Sequence, residues 1–528
     1  MMRVADLPLY YNAVDILERN LAERANKVAL YSLEREMTFQ QVANEASQVG
    51  HALKKLGVRM GDFVGILSPD VPEWVTSFFG IFKIGAIAVG MNTLLKPYEY
   101  DYILRDSRAR VLIIHQALLP ALEAIRAGQE FLEHVVVIGQ NDTPLPLSGG
   151  GAGGGGLIAY TDWFSGEPAE LEAAPTHRDD FCSLNYSSGT TGEPKGILHA
   201  HKDYPLTSQL WGVNVLGLRE SDRTLSAAKL FFTFGLGGGL IFPWYAGASV
   251  VLFAGPPRIA TNMLEMIDRF KPTILYNAPT GYAATMAVPD FTTKYDLSSL
   301  RLCVSAGESL PAPIWHAWKE KTGVDIIDGI GSTENFHIFI SNRPGDIRPG
   351  SSGKPFAGYE LKIVDADGHE VPQGEIGNLL VKGETAALFY LHQYERSQRT
   401  FQGEWLFTGD KYYVDDDGYY WHAGRSDDML KVGGIWVSPV EVESTLISHP
   451  AVLECAVIGK EDQASLVKPR AFVVLNEGYP DSDEMAKELV QYCREKMAEY
   501  KRPRWIMFVK ELPKTATGKI QRFKLREM

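Results

Sequence analysis

The sequence is short of several things, and each shortage narrows what the chain can be. Only four cysteines occur in 528 residues, Cys182, Cys303, Cys455 and Cys493, and none shares metal-finger spacing with another. That pattern reads as a reduced, cytoplasmic protein. Positive charge is also in deficit. Sixty-five acidic against 52 basic residues leave a net charge of −13, which argues against a general nucleic-acid surface. No uninterrupted apolar run reaches membrane-spanning length. The most apolar candidate, from Trp74 to Gly90, is broken by Gly80, Lys83 and Gly85 and reads as a core helix followed by a strand. The N-terminal Met1-Met-Arg-Val-Ala-Asp-Leu-Pro has no apolar core of signal-peptide length. Asp415-Asp-Asp-Gly418 lacks the later glutamate of a calcium loop and reads as a solvated hairpin turn.

What is present suggests an α/β enzyme of more than one unit. The length exceeds that of one simple domain. Val28–Tyr31, Phe63–Leu67, Ala86–Gly90 and Val111–Ile114 read as strands. Between them, helices are expected over 13–25 (capped by Asn12), from Thr38 to about Leu56, over Pro72–Lys83 and over Pro97–Asp106. Apolar strands alternating with amphipathic helices imply mostly parallel sheets. A second alternating block has strands at Ser249–Phe253, Ile274–Asn277, Leu300–Ser305 and Asp325–Ile330, with a helix over Ala260–Phe270. From Gly358 the texture shifts to short strands joined by Asp/Gly turns, which suggests a small antiparallel barrel or sheet. The last hundred residues form a β/α unit of small-domain size. The Gly-rich run Ser148–Gly156 reads as a surface insertion.

One stretch organises the rest. Tyr186-Ser-Ser-Gly-Thr-Thr-Gly-Glu-Pro-Lys-Gly196 follows a short apolar strand and holds three glycines, four hydroxyl side chains and one lysine. No apolar side chain in it anchors a core. Glycines let successive backbone N–H groups turn toward one anion. Ser187, Ser188, Thr190 and Thr191 add hydroxyl donors, Gly189 adds freedom, and Lys195 adds charge. That is a phosphate cradle, but not of the Walker type, because no Gly-Lys-Ser/Thr follows the glycines.

In open α/β sheets ligands bind beyond the carboxyl ends of strands. Glu308 and the segment Asp328–Glu334 lie at such ends. In Gly329-Ile-Gly-Ser-Thr-Glu334 the Thr333 hydroxyl suits a phosphate and the Glu334 carboxylate suits Mg²⁺. The same spacing also fits a helix start capped by Ser332. Asp410, in Trp405-Leu-Phe-Thr-Gly-Asp410, suits a ribose diol. Arg425, in Tyr420-Trp-His-Ala-Gly-Arg425, adds a donor beside it.

These motifs together resemble the adenylate-forming enzymes: acyl-CoA synthetases, luciferases and the adenylation domains of peptide synthetases. The resemblance covers nearly the whole chain and is strongest to the benzoate-CoA ligase group. It implies ATP, Mg²⁺ and coenzyme A as cofactors and a small carboxylic acid as partner. It implies no nucleic acid and no membrane span, and a homodimer stays open. ATP contacts are implied for Ser187, Ser188, Gly189, Thr190, Thr191, Lys195, Glu308, Asp328, Gly329, Thr333, Asp410, Arg425 and Lys519. Glu334 is the implied metal ligand. Thr333, Glu334 and Lys519, in Leu512-Pro-Lys-Thr-Ala-Thr-Gly-Lys-Ile-Gln-Arg522, are the implied catalytic residues. Asp427 is the implied hinge between residues 1–426 and 427–528. Lys431, Val432, Gly433 and Gly434 are implied to line the CoA tunnel.

The acyl pocket is assigned by position within the motifs to Phe232, Thr233, Phe234, Gly331, His337 and Ile338. Benzoate-CoA ligases usually carry Ala-Tyr where this chain has Thr233-Phe234. The change adds bulk at one position and removes a hydroxyl at the next. The expected activity is an ATP-dependent, AMP-forming ligation of CoA to benzoate or a related small aryl or cyclic carboxylate. An aliphatic acyl-CoA synthetase, or a free-standing enzyme that loads a carrier protein, would share the nucleotide motifs. No carrier domain follows Met528.

Overall fold

The computed structural model describes residues 2–139, 156–189, 192–256, 259–426, 428–432, 435–462, 466–514 and 520–528. A seven-stranded sheet runs in the spatial order Leu157–Ala159, His134–Ile138, Val111–His115, Phe63–Leu67, Ile87–Gly90, Phe181–Gly189, Gly192–Ala200. Its pairs are parallel up to Phe181–Gly189, and the last pair is antiparallel. A nine-stranded sheet carries Val28–Tyr31, Arg223–Ser226, Ser249–Val251, Ile274–Asn277, Leu302–Ser305 and Ile326–Gly331 in parallel, with antiparallel strands at its edges.

The two sheets share one core. Trp74, Phe78, Phe79 and Phe82 on the helix Pro72–Lys83 are all buried, and Phe79 stacks on Trp244 with ring centres 5.3 Å apart. Burying a side chain of this size contributes about 1.5–3 kcal/mol. That is why this helix, apolar nearly all round, belongs between sheets and not in a membrane. The long helix Phe39–Lys55 starts where expected: Thr38 Oγ1 accepts from Gln41 N–H, and the Gln41 side chain accepts from Thr38 N–H.

The expected helix over 13–25 is two short ones, Asp15–Glu18 and Leu21–Arg24. Asn20 interrupts it. Its side-chain amide donates to the carbonyls of Ile16 and Trp244, each at 2.9 Å, so it serves a tertiary contact as well as its own turn.

The third sheet is antiparallel and five-stranded, as the Asp/Gly turns predicted. It holds Tyr359–Val364, Gly377–Gly383, Phe401–Gln402, Trp405–Val414 and Tyr420–Arg425. The turn at Asp415 is a hairpin. Its Oδ1 accepts from Asp417 and Tyr419 N–H, which closes the turn.

The C-terminal unit is three-stranded, Val452–Glu461, Val467–Leu475 and Trp505–Phe508, flanked by helices Pro439–Ile447 and Asp483–Lys496. Its core, which includes Val442, Leu446, Val457, Val473 and Leu489, is a cluster separate from those of the body. All four cysteines are free and buried. The Gly-rich run lies almost wholly outside the described residues.

Candidate functional site

The cradle is a β-hairpin, not the open loop its glycines suggested. Phe181–Gly189 and Gly192–Ala200 pair in register through Ser187↔Lys195 and Gly189↔Gly192. Thr190 and Thr191, at its tip, lie outside the described residues, as do the side chains of Ser188 and Glu193. The hairpin matters because it fixes Lys195 across from Ser187. Ser187 Oγ is buried and has no hydrogen-bond partner among the described residues. An orphaned hydroxyl in a site built of N–H groups and a lysine fits an anion, because a phosphate oxygen would satisfy it.

Lys195 reaches from the hairpin to the turn that follows Ile326–Gly331. Its Nζ donates to Glu334 Oε1 at 3.1 Å. The Tyr390 hydroxyl donates to the same oxygen at 2.7 Å, and Lys195 Nζ lies 3.4 Å from the Tyr390 oxygen and 4.8 Å from its ring centre. Burial opposes the charge of Glu334, but the lysine and the tyrosine outweigh it and hold the carboxyl down at about 2. Both hydrogen bonds fall on Oε1, which leaves Oε2 to a cation. An ionised, buried carboxylate beside a phosphate cradle fits Mg²⁺ by its chemistry.

Thr333 and Glu334 sit on a 3-10 turn, Thr333–Asn335, capped by Ser332 Oγ accepting from Asn335 N–H at 3.3 Å. The cap and the site are therefore the same structure, not alternatives. Beneath the turn, His199 is fully buried. Its Nε2 lies 2.7 Å from the Thr333 carbonyl oxygen and its Nδ1 2.9 Å from Asp203 Oδ2. Gly329 and Gly331 are required here. A Cβ on Gly329 would meet the Ile340 carbonyl at 2.6 Å, and one on Gly331 the His337 carbonyl at 2.5 Å.

Asp328 lies within the strand Ile326–Gly331 and is buried, with Oδ1 unpartnered among the described residues. Burial without a cation raises its carboxyl to about 8. Glu308 follows the neighbouring strand Leu302–Ser305. Its Oε1 accepts from the backbone N–H of Ile520 at 3.3 Å, so the segment just past Lys519 reaches the body at this point. Lys519 itself lies outside the described residues, as does Asp427.

Asp410 and Arg425 face each other across adjacent strands, with Arg425 Nη1 3.0 Å from Asp410 Oδ1. Burial opposes the Asp410 charge, but Arg425 and His422 keep its carboxyl below the ordinary value. His422 Nδ1 is 2.7 Å from Ser309 Oγ and its Nε2 is 3.5 Å from Asp410 Oδ1. It therefore ties the ribose candidates to the residue beside Glu308.

Of the acyl candidates, His337 is a buried imidazole with Phe234 against it. His337 packs on Trp211, Phe234 and Phe242 with ring centres 4.9, 5.5 and 4.6 Å away. Gly237 allows this, because a Cβ there would meet His337 Cδ2 at 2.7 Å. Its Nε2 lies 3.3 Å from the Phe234 carbonyl, while Nδ1 is buried without a partner. Burial brings the imidazole down to about 3, so it is neutral near pH 7. Thr233 is buried at the start of the short helix Thr233–Leu236, and Phe232 packs on Phe231. Ile338 is buried and lies over Gly329, as core as much as wall.

The CoA candidates lie on the hairpin Leu430–Val437. Lys431 is exposed, and Val432 is packed in the C-terminal core. Val432 pairs with Ile435, and Gly433 and Gly434 between them lie outside the described residues.

Tyr390, His199 and His422 were not singled out from sequence. His422 lies inside a quoted motif. Tyr390 carries no local signal, because only the fold brings it to Glu334.

The model of the AMP-binding enzyme family matches residues 17–391, and that of the AMP-binding enzyme C-terminal domain matches residues 441–519. The chain is 46% identical to a benzoate–CoA ligase of Thauera aromatica, over 98% of this chain and 96% of that one. A crystal structure of the anthranilate CoA ligase AuaEII in complex with anthranoyl-AMP superposes with a TM-score of 0.96 at 70% identity, covering 100% of this chain and 98% of that chain. A benzoate CoA ligase from Burkholderia xenovorans LB400 superposes with a TM-score of 0.89 at 39% identity, covering 98% and 100%. ATP, Mg²⁺ and CoA are the cofactors expected of this family, and among the described residues no helix is long and apolar enough to cross a membrane. The chain belongs to the AMP-binding, adenylate-forming enzymes and is an AMP-forming acid–CoA ligase.

Proposed function

We propose that the protein ligates CoA to a small aryl carboxylate, with 2-aminobenzoate (anthranilate) preferred over benzoate. One observation carries the preference. His337 presents a neutral, unpartnered Nδ1 among aromatic rings. With Nε2–H directed to the Phe234 carbonyl, Nδ1 is a buried acceptor. An amino group on the substrate ring supplies the missing donor, and benzoate does not. The 70% identity to an anthranilate CoA ligase supports the same choice.

In the first half-reaction a carboxylate oxygen attacks the α-phosphorus of ATP. A C–O–P anhydride forms and pyrophosphate leaves. Ser187 and Lys195 bind phosphate oxygens, Thr333 adds a hydroxyl, and Asp410 with Arg425 holds the ribose. Glu334 would hold Mg²⁺, which when bound neutralises phosphate charge and polarises phosphoryl oxygens. Lys519 lies between two anions, the carboxylate and the α-phosphate, and stabilises them as they approach. In the second half-reaction the CoA thiolate attacks the acyl carbonyl and AMP leaves. Residues 427–528 turn about Asp427 between the two steps, so that the Lys431–Gly434 segment replaces Lys519 at the site. A cytoplasmic location and a homodimer complete the proposal.

Two measurements test it. Across a panel of acids, kcat/KM for anthranilate should exceed that for benzoate and far exceed that for palmitate. His337→Phe should cut the anthranilate-to-benzoate ratio by about tenfold, the worth of one buried hydrogen bond. An unchanged ratio removes His337 from substrate choice, and comparable rates for palmitate remove the aryl pocket. For the turning unit, Lys519→Ala should slow pyrophosphate release by roughly 10²–10³. It should still convert presynthesised acyl-AMP and CoA to thioester at a near-normal rate. Equal loss of both steps would mean that the unit does not turn.

A further inference from the structure

Glu334 depends on two hydrogen bonds, and one of them comes from a group with another task. Lys195 is the only cation in the stretch Tyr186–Gly196. A phosphate that enters the hairpin competes with Glu334 for that ammonium. Once Lys195 turns to phosphate, the Tyr390 hydroxyl is the remaining hydrogen bond on Oε1, at 2.7 Å.

Tyr390 is held firmly enough for that role. It is 3% exposed, and its ring packs on Phe401 with centres 5.1 Å apart. Its N–H donates to Ser397 Oγ at 2.9 Å. The segment 385–393 that carries it bonds to both halves of the phosphate site. Tyr390 bridges to Ile197, Leu391 N–H donates to the Gly196 carbonyl at 2.8 Å, and Gln393 Nε2 donates to the Pro194 carbonyl at 3.1 Å. On the other side Ala387 N–H donates to the Glu334 carbonyl at 2.7 Å, and Thr385 Oγ1 to the Asn335 carbonyl at 3.1 Å. Just beyond Tyr390 the chain turns at His392 with φ of 53°, a left-handed conformation that is sterically disfavoured for a residue with a Cβ. His392 Nδ1 lies 3.0 Å from Asp106 Oδ1, and the Tyr186 hydroxyl donates to Asp106 Oδ2 at 2.6 Å. The strap is thus tied at both ends to the elements that bind phosphate and metal.

We propose that Tyr390 is a positioning residue for the metal. It keeps Glu334 anchored through Oε1, with Oε2 presented to the cation, while Lys195 passes from the carboxylate to the phosphate. The proposal rests on Glu334 being the metal ligand. Residues that orient a metal-binding side chain typically contribute 10–100-fold in metal affinity.

The test reads metal binding directly. Mn²⁺ affinity is measured by electron paramagnetic resonance with α,β-methylene-ATP and no carboxylic acid, so no turnover occurs. Tyr390→Phe removes one oxygen and keeps the ring against Phe401 and Lys195. It should weaken Mn²⁺ binding about 10–100-fold, leave KM for the acid unchanged, and leave the melting temperature within a few degrees. In the Glu334→Gln background the same substitution should have no further effect, because the tyrosine acts through the carboxylate. Unchanged Mn²⁺ affinity in Tyr390→Phe, with a clear loss in Glu334→Gln, overturns the role of Tyr390 alone. An equal loss from Tyr390→Phe in both backgrounds also overturns it and makes the tyrosine a general support. No loss in Glu334→Gln overturns the metal reading together with this one.

Discussion

Asp328 and Glu334 stand on one strand-and-turn segment, both buried, and their carboxyl groups shift in opposite directions. Asp328 is raised to about 8 and Glu334 is lowered to about 2. Burial disfavours the charged form in both, so burial alone does not explain the difference. Partners do. Glu334 has the Lys195 ammonium and the Tyr390 hydroxyl on one oxygen. Asp328 has only neutral partners, among them Leu310 N–H at 3.4 Å on Oδ2, and no cation beside it among the described residues. One carboxyl is charged and suited to a metal, while the other is a neutral acid near pH 7. The site thus concentrates negative charge at one point, and the tertiary structure chooses which point.

Four outcomes would sharpen or break that comparison. The largest concerns Glu334→Gln, which removes the charged oxygen. Pyrophosphate release should fall by roughly 10²–10³, the cost of losing one preorganised electrostatic contact. A loss below tenfold would mean that the charge of Glu334 is not used.

Next is Lys195→Met. With its cation gone, Glu334 should titrate at a higher pH, and KM for ATP should rise by about tenfold or more, as for a lost charge-assisted contact. An unchanged KM would place Lys195 in structure only.

The third is the pH dependence of unfolding. Glu334 has a depressed folded pKa, so its contribution is complete above the ordinary carboxylate value of 4.5 and is lost as the pH falls toward 2. Asp328 has a raised pKa, so folding is favoured below its ordinary 3.8 and progressively penalised as the pH rises through about 8. Denaturant titrations of Glu334→Gln and Asp328→Asn against pH should both depart from the parent above the ordinary carboxylate range and in opposite directions, with Glu334→Gln the less stable and Asp328→Asn the more stable. Departures of the same sign would refute the pairing argument.

The smallest effect belongs to Asp328→Asn below the ordinary 3.8, where the carboxyl is protonated in the folded and unfolded chain alike. There it exchanges one neutral group for another of similar shape, so stability should change by only about 1 kcal/mol. From neutral pH upward the unfolded carboxyl is ionised and the folded one is not, so the variant should be the more stable of the two. A large loss at pH 7 would mean that Asp328 is charged there.

Local features were legible in the sequence. The Thr38 capping box, Pro72 and Pro97 at the first turns of their helices, and the helix Ala260–Phe270 all appear where their residues predicted. Each rests on interactions within a few residues, so no knowledge of the fold is needed. The motifs around Lys195, Glu334, Asp410 and Arg425 were legible as candidates too, and the structure brings Lys195 to Glu334 and Arg425 to Asp410.

What sequence could not supply was the pairing of distant groups. The cradle is a hairpin because its second strand closes the edge of a seven-stranded sheet, which glycines and hydroxyls do not announce. The strand His134–Ile138 was not singled out from sequence, where the Gly-rich run follows it with no helical pattern between. The break at Asn20 needs the Trp244 carbonyl, and the place of Tyr390 needs a strap that crosses from the third sheet to the hairpin. The sequence alone determined which chemistry the chain carries, since residue type sets charge, donor and acceptor. Only the tertiary structure decided which carboxyl is ionised, which imidazole is neutral and which tyrosine bonds to Glu334. Those states depend on burial and on partners far away in the chain.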